Sequence, residues 1–531
     1  MKEQSTTRGF AVLSAAGMIT KVLSLLYIPF LLKIIGDVGY GIYGASYQIY
    51  TFMFVMTNSG IPVAISKLIS ELTAVGNYKD AVKSFKIARL MLVVMGSLMC
   101  VLLIVFAMPL ATLTKYKNAY LSLISLAPAI LFTSLSSAYR GYFQGNGNMT
   151  PTAVSQVIEQ FLNIAFSLAF AAFLMKYGVE AGCAGSTIGT SLGALMSASF
   201  LMFCYNRYRK RQNMAEGIKR ISQKQIVRKI INYGIPITLC VGMTYAGNIV
   251  DLYNTKSRLM FGGFTDDSAT ILYGLLTKYQ QLLNVPIAII SSLSAAILPA
   301  ISAAAVVKDE NGVRNRINYS FRLCFLIAIP CAVGLAVLSD PIFYLLKFGI
   351  GSYIMACGSI VLVLMAVMQI QTTILQGIGR LYAATIYSVI GIACKIAVNY
   401  YLIAIPGINI LGAIVGTVIG YLIPIILNHR MIKKSLGIRI NMAAHAVRPV
   451  ISSGAMGAIV FVTYYVLNRI TGLISIAYVS NAVSTILSII VGILAYTFMM
   501  VIIGGITAKD LANMPESMKK FIPQFILARI K

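Results

Sequence analysis

Long apolar runs alternate with short polar connections along the whole chain. Fourteen runs fall near residues 9–35, 42–70, 84–108, 119–139, 151–175, 181–205, 229–258, 270–304, 320–340, 352–376, 381–404, 408–428, 448–468 and 478–504. Each is about 20 residues or longer, the length at which an α-helix crosses a hydrocarbon core. The pattern predicts an all-α integral membrane protein with fourteen transmembrane helices. The first run is too long for a cleaved signal peptide and carries Lys21 at its middle. Pro29, Pro62, Pro128, Pro236, Pro286, Pro299, Pro330 and Pro424 punctuate the spans. Proline removes a backbone hydrogen bond and bends a membrane helix, which suits either rocking lobes or static packing.

The runs also repeat. Gln144-Gly145-Asn146-Gly147 follows one span and opens the next, and Gln376-Gly377-Ile378-Gly379 does the same 232 positions later. Val157 and Ile158 align with Val389 and Ile390, and Gly185 and Gly189 with Gly416 and Gly420. Upstream, Tyr43-Gly44 aligns with Tyr273-Gly274, and Ile65, Ile69 and Ser70 with Ile297, Ile301 and Ser302. A near-constant offset over several segments argues against chance similarity between apolar helices. It predicts two pseudo-symmetric six-helix lobes, the arrangement of many alternating-access transporters. The expected division is an N-lobe at 1–205, a basic cytoplasmic linker at 206–228, a C-lobe at 229–430, an appendix holding spans thirteen and fourteen at 431–504, and a tail at 505–531. In the tail, Phe521, Ile522, Phe525 and Ile526 among Lys519, Lys520, Arg529 and Lys531 suggest either a helix lying on the membrane surface or a disordered segment.

The composition is 58% hydrophobic and 11% charged, with a net charge of +28. The placement of the cations decides what that excess means. With the N-terminus set in the cytoplasm, 31 of the 43 Lys and Arg fall in the even-numbered connections and the tails, eight in the odd-numbered connections and four within spans. This is the positive-inside asymmetry of a multi-pass plasma-membrane protein with both termini cytoplasmic, not a nucleic-acid footprint. The linker from Arg207 to Lys229 holds nine cations, which suit the anionic inner leaflet or serve as a topology signal only. The eight cysteines are scattered without a Cys-x-x-Cys, and His429 and His445 are too few for a metal site, so no metal or cofactor is expected. With Trp absent, the 30 tyrosines must supply the interfacial aromatic belt. No Walker sequence, His-Glu-x-x-His or Gly-x-Ser-x-Gly is present, so no catalytic residue is assigned. Transport energy would come from the membrane potential, an ion gradient or the substrate gradient.

Ionisable groups within spans are costly and by default mark function. Lys21, Lys67, Lys278 and Lys395 are the cationic candidates, with Asp251 and Glu159 as carboxylates. Asn399 lies one turn beyond Lys395, and Arg140 stands at a span end. Lys21 and Asp251 occupy equivalent places in the two halves with opposite charge, which suggests an ion pair across a cavity. The cationic excess suits an anionic substrate such as a pyrophosphate. Lys21, Lys67, Lys278, Lys395 and Arg140 are therefore the candidate substrate-binding residues. Asp251, Glu159 and Asn399 are candidates for a conformational switch or ion coupling. The bland alternative is internal salt bridges that set helix register, which fits Glu159 best.

At this point the residues resemble a known family. Arg140-Gly141-Tyr142-Phe143-Gln144-Gly145-Asn146-Gly147-Asn148-Met149-Thr150-Pro151-Thr152-Ala153 resembles the signature of the SpoVB/YtgP group of polysaccharide and peptidoglycan-precursor flippases. Arg322 to Pro330, continuing to Leu338-Ser339-Asp340-Pro341, is similar to span nine of the MurJ lipid II flippases, and Gly60-Ile61-Pro62-Val63-Ala64-Ile65-Ser66-Lys67 fits the same group. The resemblance implies a flippase of the MOP superfamily that moves undecaprenyl-pyrophosphate-linked saccharide, lipid II first, from the inner to the outer leaflet. It implies membrane lipids and cell-wall synthases as partners, and a lipid-tail groove made by spans thirteen and fourteen. Lys21, Asp251 and Lys395 resemble charged positions of the family. Tyr27 and Ile28 stand where Gram-negative relatives carry an Arg-Asp pair, and Gln281 stands where a span-eight cation is expected. The sodium site of the MurJ flippases is not evident in this sequence, which puts sodium coupling in doubt. The alternatives are another lipid-linked polysaccharide or sporulation-cortex cargo, a MATE-like cation or drug antiporter, and a non-transporting scaffold for synthases.

Overall fold

The computed structural model describes residues 6–209, 221–306, 309–437, 442–473 and 476–505. The centre of the basic linker and the tail with Phe521, Ile522, Phe525 and Ile526 lie outside the described residues. Within them no strand occurs, and seventeen α-helices follow one another. They are α1 (Thr6–Asn58), α2 (Gly60–Ala74), α3 (Tyr78–Val105), α4 (Ala107–Leu113), α5 (Tyr120–Gly145), α6 (Thr150–Leu174), α7 (Val179–Arg209), α8 (Gln223–Phe261), α9 (Asp266–Val306) and α10 (Glu310–Val337). After these come α11 (Ser339–Leu345), α12 (Ser352–Gly358), α13 (Ile360–Gly377), α14 (Leu381–Leu402), α15 (Leu411–Leu436), α16 (Met442–Gly472) and α17 (Ala477–Ile502).

Twelve helical segments among the described residues are long and apolar enough to cross a membrane, where the sequence predicts fourteen. The difference arises at two places. Val12–Ala74 is one continuous segment of 63 residues that contains the first two predicted runs. The predicted eighth run lies in α9, which is not among the twelve. The long segment is not straight. Gly36 breaks α1 with φ 69° and ψ −179°, a conformation open essentially to glycine alone.

The 232-residue repeat is written into the helix boundaries. Helix α3 spans Tyr78–Val105 and α10 spans Glu310–Val337; α4 spans Ala107–Leu113 and α11 spans Ser339–Leu345. Both ends of each pair are offset by that spacing. Helices α5 and α13 end at Gly145 and Gly377, the glycines of the repeated motif. The next glycine of each motif, Gly147 (φ 71°) and Gly379 (φ 77°), is left-handed. Their N–H groups donate to the carbonyls of Gln144 and Gln376, and the following residues close back onto Phe143 and Leu375. The motif is thus a helix stop of the kind that satisfies orphan carbonyls.

The chain packs as two compact units, residues 1–281 with 388–416, and residues 282–387 with 417–531. In the first unit, Phe85 lies among Tyr139, Tyr142 and Tyr205 at ring-centroid distances of 4.7–5.2 Å. Around it Ile65, Leu68 and Ile69 of α2 and Ile226 and Ile230 of α8 complete a core. Helix α7 lays Gly185, Gly189 and Gly193 against the backbone of α6 at Phe170, Asn163 and Glu159. A side chain at any of them would overlap the facing helix, so small residues set the close approach that membrane helices use in place of hydrophobic drive. On α1, Gly41 and Gly44 face Thr270 and Thr277 of α9, and Gly274 lies against Gly41. The second unit has a core of Ile290, Ile297 and Ile301 from α9 with residues of α10, α13 and α15. A smaller cluster, Leu338, Met456, Val460, Tyr496 and Met500, ties α16 and α17 to the end of α10.

Gly189→Val should lower the thermal midpoint in detergent by more than Gly147→Ala. Overpacking a close helix contact costs about 1–3 kcal/mol. A Cβ on Gly147 meets no neighbour and incurs only the left-handed penalty of about 1 kcal/mol.

Candidate functional site

All eight site residues read from the sequence belong to the first unit. Helices α8 and α14 run side by side in the same direction there, joined by four polar contacts. Lys395 Nζ lies 2.8 Å from Asp251 Oδ2, and Asn399 Nδ2 donates to Asp251 Oδ1 at 2.5 Å. One turn on, Asn254 donates to the Ile396 carbonyl at 2.9 Å, and Arg258 donates to the Tyr400 carbonyl at 2.8 Å. The side chains of Lys395 and Asp251 are 17% and 13% exposed, and Gly416 leaves the room that Asn399 occupies.

Two further pairs join neighbouring helices. Lys278 of α9 is 1% exposed, and its Nζ lies 2.6 Å from Oδ1 of Asp37, the residue after the Gly36 break. Lys256 of α8 is 2% exposed and holds Asp266, the first residue of α9, at 2.9 Å. Its ammonium also lies 4.1 Å from the ring centre of Tyr116. Burying an ammonium costs several kcal/mol unless a counter-charge accompanies it. Each of these lysines has one.

A third polar group ties α5, α6 and α7. Arg140 Nη2 lies 2.6 Å from Glu159 Oε2 and 3.0 Å from Ser197 Oγ, and Arg140 Nε donates to Ser155 Oγ at 3.0 Å. On α1 runs a ladder of rings, Tyr40, Tyr43, Tyr47, Tyr50 and Phe54, with successive centroids 4.5–6.0 Å apart. Tyr27 donates to Tyr43 at 2.7 Å, Tyr47 bonds Thr190, and Thr190 and Ser167 both donate to Asn163 Oδ1. Tyr27 thus belongs to a neutral hydroxyl network.

The expected Lys21–Asp251 pair is not formed: Asp251 is held by Lys395 and Asn399. Pseudo-symmetry places Lys21 and Asp251 at equivalent positions of different halves, whereas an ion pair needs about 4 Å, which the neighbouring helix α14 provides. Lys21 is exposed and has no hydrogen bond or ion pair among the described residues. Lys67 is exposed with its ammonium 3.9 Å from the ring centre of Tyr233. Asp37, Lys256 and Asp266 were hidden from sequence reasoning because they lie at run ends, where charges read as loop residues. The one available signal was Asp37, a carboxylate set directly after a glycine between two long apolar runs.

Residues 6–305 match the profile of the family described as polysaccharide biosynthesis protein. The chain belongs to this family. Among its relatives, Stage V sporulation protein B of Bacillus subtilis (strain 168) is 29% identical over 458 residues, covering 84% of this chain and 87% of that protein. Lipid II flippase MurJ of the same organism is 26% identical over 494 residues, covering 87% and 88%. The fold of this polysaccharide biosynthesis family member is similar to that of a lipid II flippase MurJ in an inward closed conformation, with a TM-score of 0.67, 16% identity, and coverage of 93% of this chain and 98% of that one. It is also similar to an inward-facing multidrug resistance MATE transporter of the MOP superfamily, with a TM-score of 0.65, 15% identity, and coverage of 81% and 99%. The protein is a multi-pass membrane protein, helical and without a strand among the described residues, and its fold is similar to those of these two solved proteins.

Lys395→Met should destabilise the protein by about 3–5 kcal/mol, because it strands the Asp251 carboxylate. Adding Asp251→Asn should recover most of the loss, since removing both charges is often close to neutral. Thermal unfolding in detergent of the two single variants and the double variant measures the coupling.

Proposed function

We propose that the protein is a flippase that moves undecaprenyl-pyrophosphate-linked saccharide, lipid II for peptidoglycan first among the candidates, from the inner to the outer leaflet by alternating access. The observation that carries this reading is the division of the intramembrane cations. Lys278, Lys395 and Arg140 are neutralised by Asp37, Asp251 and Glu159, whereas Lys21 and Lys67 have no carboxylate partner among the described residues. Cations left available within spans suit a pyrophosphate, and paired ones suit a switch whose partners exchange as the lobes rock. Asp251 with Asn399 is then the switch, and Lys278 and Lys395 become ligands when their carboxylates release them. Both termini are cytoplasmic in this reading, membrane lipids surround the chain, and cell-wall synthases receive the cargo. No cofactor is needed, and the membrane potential or an ion gradient supplies the drive.

A sporulation cargo of the same chemistry is the second reading, favoured by the likeness to Stage V sporulation protein B. A MATE-like antiporter is disfavoured, because such transporters depend on acidic residues, and here the carboxylates within spans are already paired with cations.

Complementation tests the reading. In cells depleted of their lipid II flippases, the intact chain should restore growth. Lys21→Ala at normal expression should lower rescue by at least about tenfold in viable count, the effect of about 1.4 kcal/mol of lost interaction. Failure of a well-expressed intact chain would move the assignment to another polyprenyl-linked cargo. Full rescue by Lys21→Ala would remove that lysine from the substrate site.

A further inference from the structure

A second cationic place lies apart from the Lys21 and Lys67 positions. In the first unit, a cavity of about 360 Å³ is lined by Lys115, Tyr116, Lys117, Lys256, Asp266 and Asp267, with Val38 and Ile42 of α1 beneath. Lys115 and Lys117 come from the turn that follows α4, and Lys256 from the end of α8. Lys115 and Lys117 are exposed and make no ion pair among the described residues, while Lys256 is almost fully buried and paired with Asp266. The Tyr116 hydroxyl is buried without a hydrogen-bond partner among the described residues.

We propose that this pocket binds a phosphate or pyrophosphate group, with Asp266 as an internal placeholder that the incoming anion displaces from Lys256. Three ammonium groups meet two carboxylates on the wall, so the lining keeps a positive excess with every group ionised. Lys256 is already stripped of water, so an arriving anion meets an ammonium whose desolvation is complete before binding. A phosphate brings more negative charge and more acceptor oxygens than the Asp266 carboxylate, which favours the exchange. A purely structural Lys256–Asp266 pair is complete by itself and gives no reason for two unpaired lysines on the facing turn.

The turn is also built twice. Lys115 has φ 63° and Lys347 has φ 52°, a left-handed backbone where glycine is the usual residue, and the two lie 232 residues apart. Each ends its short helix in the same way: Lys115 donates to Thr112 and Tyr116 to Ala111, while Lys347 donates to Tyr344 and Phe348 to Phe343. In the second unit Lys347 also lines a cavity, with Asp340, Tyr344 and Tyr478. A lysine held in this strained conformation at both repeat positions is a feature of the design of each half rather than an accident of one loop.

In the proposed topology this end of the chain faces outward, so the group can be the pyrophosphate of an emerging lipid-linked cargo or the phosphate of an anionic phospholipid. Only the choice of source rests on the flippase reading. Full-length protein in detergent should gain thermal stability saturably with inorganic pyrophosphate, and not with sulfate at equal ionic strength. Lys115→Ala with Lys117→Ala should abolish the gain while leaving the starting midpoint in place. Asp266→Asn should lower the half-saturating pyrophosphate concentration by at least about fivefold, because the placeholder is gone. An equal gain from sulfate, an unchanged gain in the double lysine variant, or weaker binding in Asp266→Asn would overturn the proposal. Native mass spectrometry with undecaprenyl-pyrophosphate-linked saccharide in one arm and phosphatidylglycerol in the other then names the source. Retention of the first, lost in the double lysine variant, assigns the cargo. Retention of phosphatidylglycerol alone keeps the phosphate site and overturns the cargo as its source.

Discussion

A lysine ammonium cannot be buried in a low-dielectric interior without a counter-charge, and the first unit is organised around that constraint. Lys256, Lys278 and Lys395 come from three helices of the second repeat, and each meets a carboxylate on another helix. The partners are Asp266 at the start of α9, Asp37 just past the break in α1, and Asp251 in α8. Together these pairs join α8 to α9, α9 to α1, and α14 to α8. Replacing them with apolar side chains would hold helices together as well or better. What apolar packing would not give is a contact that an anionic ligand can undo. In the proposed function a cargo carrying pyrophosphate would compete for these lysines, and the ion pairs would be the bonds such a ligand opens.

Close helix approach makes the pairs possible. Gly41 and Gly44 bring α1 against Thr270 and Thr277 of α9, which leaves Lys278 in reach of Asp37. Gly416 makes space for Asn399, which holds the second oxygen of Asp251. Gly36 supplies the one break in a 53-residue helix, directly before the residue that pairs. Small residues thus position the charges, and the charges hold the helices.

Much of this was legible in the sequence, and the misses share a cause. Helical spans follow from run length, and the repeat follows from motifs such as Gln-Gly-x-Gly, whose last glycine proves to be a left-handed helix stop. Glu159 was visible because charges within spans are rare, and Arg140 stood out at a span end. The partner of Asp251 was misread because symmetry relates positions, not neighbours. Asp37, Lys256 and Asp266 were missed because hydropathy treats a charge at a run end as connection, although the helix continues past that point in three dimensions. The boundary between the first two predicted spans was softened for the same reason: α1 runs through it with only Gly36 to mark the bend.

If the proposed alternating access operates through the ion pairs Lys256–Asp266 and Lys278–Asp37, the place where α1, α8 and α9 meet must open during transport. Val38→Cys and Asp267→Cys, which line one cavity there, can be joined by a short thiol-cleavable cross-linker in a background whose eight native cysteines are replaced. Translocation of a fluorescent lipid-linked saccharide in proteoliposomes is then followed before linking, after linking and after cleavage. The account predicts arrest by the link and recovery on cleavage. Undiminished translocation with the link shown to be in place would contradict it.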